Sequence, residues 1–172
     1  MKTMKKIVFS AIIAISIVAC TQKGVNSSTE VNSHQFGENY DSTAYMDVIK
    51  ATFKDVESYD SVAYRTRYAD TAIFHDNDKI LTLNENVALQ GQFIAAGIKA
   101  KVKDDYVMWG SHFNFKNGSQ GDYVYSYITI TFTKGDTSVD VVVFQANRFN
   151  KDGKIDKEWL VYDQSKIATL MN

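Results

Sequence analysis

The chain has 172 residues, a formal net charge of −1, one cysteine and no proline. This length predicts one domain, and the single cysteine excludes a disulfide within the chain. The slightly acidic balance argues against nucleic acid as a partner, because nucleic-acid-binding proteins carry a basic stripe.

The first 19 residues predict a targeting segment that is not part of the fold. Three lysines within the first six residues are followed by an apolar run, residues 7–19, which is too short to span a bilayer comfortably. The small and aliphatic residues directly before Cys20 resemble the lipobox of bacterial lipoproteins. The resemblance implies that residues 1–19 are removed and that lipidated Cys20 anchors the protein to a membrane. The alternatives are an ordinary secretory signal and an uncleaved anchor.

Residues 20–40 predict a flexible tether, because they are rich in small polar residues and show no hydrophobic period. In lipoproteins of this kind the residue after the cysteine influences sorting. Thr21 is not the aspartate associated with retention in the inner membrane. The expected location is therefore the outer membrane of a bacterial cell envelope, facing the periplasm.

Residues 41–172 predict the folded domain, which begins with helices. Apolar residues at helical spacing between Tyr45 and Val56 predict a first helix, capped by Asp41 or Ser42. A second, shorter helix is expected at residues 61–69.

The third helix is predicted to begin at the N-cap residue Asn84 and to run to Val102, because apolar residues recur there at intervals of three and four residues. Gly91 and Gly97 within it are interpreted as sites of close packing. A short strand at residues 71–75 precedes this helix and is broken by the polar residues that follow it.

The second half of the domain predicts a sheet, because β-branched and aromatic residues alternate with a period of two. The expected strands are residues 106–115, 123–133, 138–149 and 154–163. Short turns between them make them antiparallel neighbours. The sequence thus predicts an α+β fold in which three N-terminal helices pack on one face of a curved antiparallel sheet.

Three stretches resemble the SnoaL-like branch of the nuclear transport factor 2-like superfamily. Ser58–Asp60 corresponds to its usual Gly-Asp, and Tyr68–Asp76 to its Phe-Ala-Asp-Asp-Ala run. Arg148–Ile155 corresponds to its Arg-Phe, turn, Asp-Gly-Lys-Ile hairpin. The resemblance covers Ala44–Leu170 and implies a cone-shaped roll whose helices and sheet enclose one pocket.

The resemblance implies two candidate catalytic residues. In ketosteroid isomerase the aspartate six residues after the position of Asp70 moves the proton, and that residue is here Asp76. A carboxylate beside an apolar pocket suits proton transfer next to a carbonyl. In polyketide cyclases an aspartate after the last strand does acid–base work, and Asp163 matches it. The structural alternatives are a turn aspartate for Asp76 and a strand-end cap for Asp163.

The residues that form the oxyanion hole of the isomerase are replaced at the matching positions of this chain. Thr52 stands at the position of the isomerase's tyrosine, and Gln145 stands at the position of its protonated aspartate. Loss of one such donor typically slows catalysis by two to three orders of magnitude. The resemblance therefore does not imply isomerase activity.

A ligand pocket is expected on the inward side of the strands. Its predicted lining residues are Thr52, Phe53, Gln145, Asn147, Leu160 and Tyr162. Alternation also turns Glu158 inward, and Gln145 either binds a ligand or holds a helix. His75 and His112 show no metal-ligand spacing, so neither a metal nor a cofactor is predicted.

Tyr123, Tyr125 and Tyr127 share the other face of their strand. They form either a ligand platform or, as is usual in this superfamily, an outer sheet face that is buried in a homodimer.

Three functions remain open. The first is a lipid-anchored domain that binds a small, partly apolar ligand in its pocket. The second is an acid–base enzyme (isomerase, cyclase or dehydratase) that uses Asp76 or Asp163. The third is a dimeric interaction module whose pocket is filled by Phe53, Ile94 and Tyr162.

Overall fold

A computed structural model describes residues 38–40 and 43–171 of the chain. The predicted targeting segment, Cys20 and most of the predicted tether lie outside these residues. The elements are β1 (Glu38–Tyr40), α1 (Ala44–Ser58), α2 (Ser61–Arg67), β2 (Tyr68–Asp76), β3 (Lys79–Thr82), α3 (Leu83–Ala95), β4 (Lys99–Val102), β5 (Val107–Asn114), β6 (Gln120–Lys134), β7 (Thr137–Phe149), β8 (Ile155–Tyr162) and α4 (Gln164–Met171). Within the described ranges, no helix has the length and apolar character needed to cross a membrane.

The predicted α+β class is confirmed, and the strands form one curved sheet. Its order is β1-β5-β6-β7-β8-β2-β3, and β4 pairs with the second half of β6. The expectation of a purely antiparallel sheet is wrong, because β2 pairs with β8 in parallel. These two strands are far apart in the chain, so no short turn forces them to be antiparallel.

The helices cover one face of this sheet. Helix α1 packs against β4, β5 and β6, whereas α3 packs against β2 and β3. The three predicted N-terminal helices are present, and a fourth helix that was not predicted, α4, packs against β6 and β7. Ile167 and Leu170 of α4 join the same hydrophobic core as Ile49 of α1 and Val141 of β7.

The first two helices form close to their predicted bounds. The N-cap of α1 is Thr43 and not the predicted Asp41 or Ser42, which lie outside the described residues. The Thr43 hydroxyl accepts a hydrogen bond from the Met46 amide. The α1 helix ends at Ser58, and its C-cap Tyr59 lies in the left-handed region with a φ of 54°. Asp60 then caps α2 by accepting from the amides of Val62 and Ala63. The chain therefore turns sharply between the helices without glycine or proline.

The third helix differs from its predicted bounds at both ends. Thr82 caps it in a reciprocal capping box with Glu85. The helix ends at Ala95, and Gly97 beyond it has a φ of 72°. Residues 99–102, which were expected to be helical, form β4, because Ala100 and Val102 alternate inward there. A side chain at Gly91 or at Gly97 would meet no atom within 4 Å, so the close-packing interpretation is wrong for both glycines. Gly97 instead provides the positive φ at which the chain leaves the helix.

Besides β4, two further short strands were not expected from the sequence. Residues 38–40, assigned above to the tether, pair with β5 as β1. The polar residues after Asp76 form a tight turn, with Asn77 at a φ of 52°, and β3 returns along β2 from that turn. The turn therefore continues the sheet instead of ending it.

The predicted alternation along β6 is confirmed. Val124, Ser126 and Ile128 are buried on the helix-covered face. Tyr127, on the opposite face, is 53% exposed. The sheet thus has an inner face beneath the helices and an outer face, and the candidate site lies on the inner face.

Candidate functional site

A cavity of about 130 Å³ lies between the helices and the inner face of the sheet. The helices contribute Thr52, Phe53, Val56, Tyr64, Asn86, Leu89, Gln90, Phe93 and Ile167, and Tyr59 follows α1. The strands contribute Tyr68, Asp76, Ala100, Val102, Ile128, Ile130, Phe132, Val143, Gln145, Glu158, Leu160 and Tyr162. Most of this wall is apolar, and the polar groups come mainly from β2, β7, β8 and α3.

The wall formed by α1 is held to the sheet by polar contacts at its C-terminal end. Glu57 accepts a hydrogen bond from the Val102 amide of β4 at 2.8 Å, and Lys101 forms an ion pair with it. The Tyr59 hydroxyl donates to the Ile98 carbonyl at 2.7 Å. Arg67, the last residue of α2, pairs with Asp55 of α1 at 3.1 Å. These contacts fix the C-terminal end of α1 against β4 and the end of α2.

Asp76, a predicted catalytic residue, lies at the end of β2 and lines the cavity. Its side chain is only 3% exposed, so it is buried. Its Oδ1 atom has no hydrogen-bond partner among the described residues. A buried carboxylate oxygen without a donor is unfavourable by several kcal/mol on the scale of transfer energies. Asp76 is therefore a buried acceptor group in the lining of the cavity.

Glu158 of β8 is a second buried carboxyl group in the same cavity. The Tyr68 hydroxyl donates to its Oε2 at 2.6 Å, and Gln145 Nε2 donates to the same atom at 3.1 Å. Burial raises the pKa of Glu158 to about 7, and the charge of Asp76 adds to the increase, whereas the two hydrogen bonds oppose it. Glu158 can therefore both donate and accept a proton near neutral pH.

Three tyrosines surround the two acids. Burial is the main cause that raises the pKa of Tyr64 and Tyr68, and the charge of Glu158 is the second cause. Burial also raises the pKa of Tyr162, with the charge of Asp76 second. All three hydroxyl groups therefore stay protonated at neutral pH and can act only as neutral hydrogen-bonding groups.

Gln145 lies on β7 at the centre of a polar network. Its Oε1 accepts from the Ser126 hydroxyl at 3.2 Å, while its Nε2 donates to Glu158. Asn147, which was also predicted to line the pocket, is fully buried beside Gln145 and does not line the cavity. Its Nδ2 atom has no hydrogen-bond partner among the described residues. Two roles were left open for Gln145, binding a ligand or holding a helix. Its contacts show that it holds a side chain in place, but that side chain is Glu158 of β8 and not a helix residue.

The other predicted pocket residues also have defined positions. Thr52 lines the cavity, but its hydroxyl donates to the Ile49 carbonyl at 2.7 Å and is not a free donor. Phe53, Leu160 and Tyr162 line the cavity as expected. The pocket is not filled, and Ile94 is half exposed and does not line it.

Asp163, the other predicted catalytic residue, lies outside the cavity lining and is exposed. Its Oδ1 accepts from the Ser165 hydroxyl at 2.6 Å and from the Ser165 amide at 3.0 Å. These hydrogen bonds lower its pKa, the one from the hydroxyl contributing most. This geometry is that of a cap at the start of α4, the structural alternative considered above.

Sequence reasoning missed Glu158 as a site residue, although it placed the side chain inward. A glutamate on the apolar face of a strand is itself a signal, because a buried carboxyl group needs a compensating environment. Tyr64, Tyr68, Asn86 and Gln90 were also missed. Tyr64 donates to Asn86 at 3.2 Å, and Gln90 donates to the same oxygen. These residues come from α2, β2 and α3, so no local pattern in the sequence links all four, although Asn86 and Gln90 share one face of α3.

No protein-family model matches the chain, and no curated protein matches its sequence. Solved structures do match its fold. A candidate polyketide cyclase from Streptomyces antibioticus is 17% identical, with a TM-score of 0.54 over 75% of this chain and 99% of that one. An epoxide hydrolase from M. tuberculosis is 12% identical, with a TM-score of 0.54 over 74% of this chain and 88% of that one.

A candidate SnoaL-like polyketide cyclase from Shewanella denitrificans also matches, with 10% identity and a TM-score of 0.50 over 76% of this chain and 98% of that one. At these identities the likeness concerns the fold. The chain therefore has the nuclear transport factor 2-like fold that it shares with SnoaL-like polyketide cyclases.

Proposed function

We propose that this domain binds a small, partly apolar molecule in its cavity. The observation that carries the proposal is Asp76, a buried carboxylate with an unpartnered oxygen on the wall of an otherwise mainly apolar cavity. An apolar cavity of roughly 150 Å³ accommodates benzene in an engineered protein. The present cavity, at about 130 Å³, is therefore suited to a ligand of similar size.

Two substitutions on neighbouring residues of β7 test this proposal. Val143 lines the cavity, whereas Val142 points to the outer face and is half exposed. Val143→Phe should fill the cavity and remove binding of benzene, followed by NMR titration, whereas Val142→Phe should leave it unchanged. Mass spectrometry of any molecule that co-purifies with the wild type would identify a natural ligand. Equal binding of benzene by both variants would refute the cavity as the binding site.

A second candidate is an acid–base enzyme that uses the same cavity. It is favoured by two carboxyl groups on adjacent strands, Asp76 and Glu158, of which Glu158 has a pKa of about 7. In this reaction Asp76 removes a proton from the carbon next to a carbonyl group, and protonated Glu158 donates its proton to the carbonyl oxygen. The products are an enol, a protonated Asp76 and an ionised Glu158.

Cyclopentanone in D₂O provides a direct test of this second candidate. The wild type should accelerate exchange of the hydrogens next to its carbonyl group, measured by NMR, and Asp76→Asn should abolish the acceleration. Asp163→Asn serves as the control, since Asp163 lies outside the cavity lining. Exchange no faster than in buffer would contradict the enzymatic proposal and leave ligand binding unaffected.

We also propose that lipidated Cys20 anchors the domain at the cell envelope, where residues 21–37 would separate it from the membrane surface. The support is the basic and apolar N-terminal segment that ends directly before the single cysteine. Cys20→Ser should move the protein from the membrane fraction to the soluble fraction. A variant that still sediments with membranes would contradict this anchoring.

A homodimer through the outer sheet face is a further proposal. Its support is the row of stacked aromatic rings there, in which Trp109 and Tyr125 lie 5.4 Å apart and Tyr123 and Trp159 lie 6.3 Å apart. Exposed apolar patches of this kind commonly mark protein interfaces.

A further inference from the structure

The unpartnered oxygen of Asp76 restricts the chemistry of the ligand. Oδ1 is a hydrogen-bond acceptor that is shielded from solvent and has no donor within hydrogen-bond geometry among the described residues. The nearby Tyr162 hydroxyl interacts with the Asp76 carboxylate closely enough for the charge of Asp76 to raise the pKa of Tyr162, after burial as the main cause. The ligand group that meets Oδ1 must therefore carry an N–H or O–H hydrogen. This requirement argues against a purely hydrocarbon ligand and against an ether or ketone as the group nearest to Asp76.

The charges of the cavity restrict the ligand further. Asp76 and Glu158 are its two ionisable acids, and none of the described lining residues is a lysine, an arginine or a histidine. The two acids are also close enough for the charge of Asp76 to contribute to the raised pKa of Glu158. A carboxylate or phosphate would meet repulsion here, whereas a cation would be attracted in a site of low dielectric constant.

The aromatic part of the wall suits a cation as well. Tyr64, Tyr68 and Phe53 line the cavity, and the Tyr64 and Tyr68 rings lie 4.7 Å apart. Aromatic faces attract ammonium groups through their quadrupole. An ammonium group with N–H hydrogens can also donate to Asp76, which a quaternary ammonium group cannot do.

We infer that the ligand of this cavity is a small primary amine, bound as its ammonium ion to Asp76 and carrying a compact apolar group of about the size of a five- or six-membered ring. This inference rests on the proposed function, since it names the class of molecule that the same cavity takes. Glu158 contributes the second negative group, and Tyr68 and Gln145 hold its carboxyl group in place.

Ligands of nearly the same size test the inference with the full chain. They are cyclopentylamine, cyclopentanol, cyclopentanecarboxylate and benzene, each titrated at pH 7.5 while the amide signals of β2 and β8 are followed by NMR. The amine should bind at least about tenfold more tightly than the alcohol, which corresponds to about 1.4 kcal/mol. The carboxylate should show no binding.

Asp76→Asn should reduce the affinity for the amine at least tenfold and leave the affinity for benzene within about twofold. Asp78→Asn is the matched control. It removes the same charge as Asp76→Asn, but Asp78 is exposed in the turn two residues away. It should leave the preference for the amine intact. Glu158→Gln should weaken amine binding less than Asp76→Asn, and unfolding curves verify that each variant is folded.

The outcomes separate the inference from the function on which it rests. If benzene or cyclopentanol binds at least as tightly as the amine, or if Asp78→Asn has the same effect as Asp76→Asn, the amine inference is wrong and ligand binding stands. If none of the four molecules binds to the wild type, both the inference and the proposed function fail.

Discussion

The inner and outer faces of the sheet come from the same strands but have different chemistry. Along β6 the inner residues Val124, Ser126 and Ile128 are buried, whereas the outer residues Tyr123, Tyr125 and Tyr127 are partly or largely exposed. The inner face carries buried acids and amides beside an unfilled cavity, and the outer face carries stacked aromatic rings. The comparison shows that hydrophobicity alone does not identify the core, since the more aromatic face is the one that the helices leave uncovered.

The largest expected difference between the faces is in how much a truncated side chain lowers the free energy of unfolding. Substitutions at two neighbouring residues of β2, one on each face, test this difference. Phe74 is fully buried and packs against Tyr68 with ring centroids 5.0 Å apart, whereas Ile73 is 37% exposed on the outer face. Phe74→Ala should lower the free energy of unfolding by about 3–5 kcal/mol, and Ile73→Ala by less than about 1 kcal/mol. Urea unfolding of both variants provides the measurement. Similar losses would mean that the two faces are not distinct in the way described.

The next effect concerns the buried acid of the inner face and depends on pH. The pKa of Glu158 is raised to about 7 from an ordinary value of 4.5, so the folded state holds a proton that the unfolded state releases between these pH values. Its contribution therefore makes the protein less stable as pH rises from about 4.5 to 7, by about 3 kcal/mol in total.

Glu158→Gln removes this titration. The difference in unfolding free energy, variant minus wild type, should therefore increase by about 3 kcal/mol between pH 4.5 and pH 8. Carboxylates other than Asp76, whose charge acts on Glu158, change both proteins alike, and the lost hydrogen-bond geometry shifts the curve without giving it a slope. Two parallel stability curves would contradict a raised pKa at Glu158.

A smaller effect is expected on the outer face, where the proposed dimer is tested. Tyr127→Lys places a charge among the stacked rings and should weaken self-association at least tenfold, or about 1.4 kcal/mol, in sedimentation experiments. Val62→Lys is the control, because Val62 is 74% exposed on α2, a helix that contributes Tyr64 to the cavity on the opposite side of the sheet. Benzene binding should be the same in both variants. A wild type that is monomeric at all concentrations would refute the dimer.

The smallest effect is expected from substitution of Asp163, which tests whether this residue is a helix cap or an acid of the cavity. Asp163→Ala removes the acceptor of the Ser165 amide at the start of α4 and should lower Tm by about 1–3 °C. Ligand binding should not change, because the residue does not line the cavity. A loss of ligand binding with unchanged Tm would reverse this assignment.

The fold was predictable where local patterns dominate. The alternation of β6 and β7 and the glycine turns at Gly135 and Gly153, both with positive φ, predict the long hairpins correctly. The start of α3 was predicted two residues late, because Asn84 and Thr82 are both acceptable caps. Only the reciprocal hydrogen bonds between Thr82 and Glu85 decide between them.

The site was predictable only in part. Strand periodicity placed Gln145, Leu160 and Tyr162 on the inner face, and the resemblance singled out Asp76, all of which line the cavity. Neither source indicated that Tyr68 would reach Glu158, which is 90 positions later in the sequence. That contact depends on the parallel pairing of β2 with β8, which no turn length predicts.

The sequence by itself determined the α+β class, the side of each long strand that its residues share and the resemblance to a fold with one enclosed pocket. These features follow from interactions between residues close together in the chain. Only the tertiary structure decided that two acids share one cavity, that Asp76 lacks a donor and that Asp163 lies outside. Burial and proximity across distant strands cause these properties, and both arise only when the elements pack together.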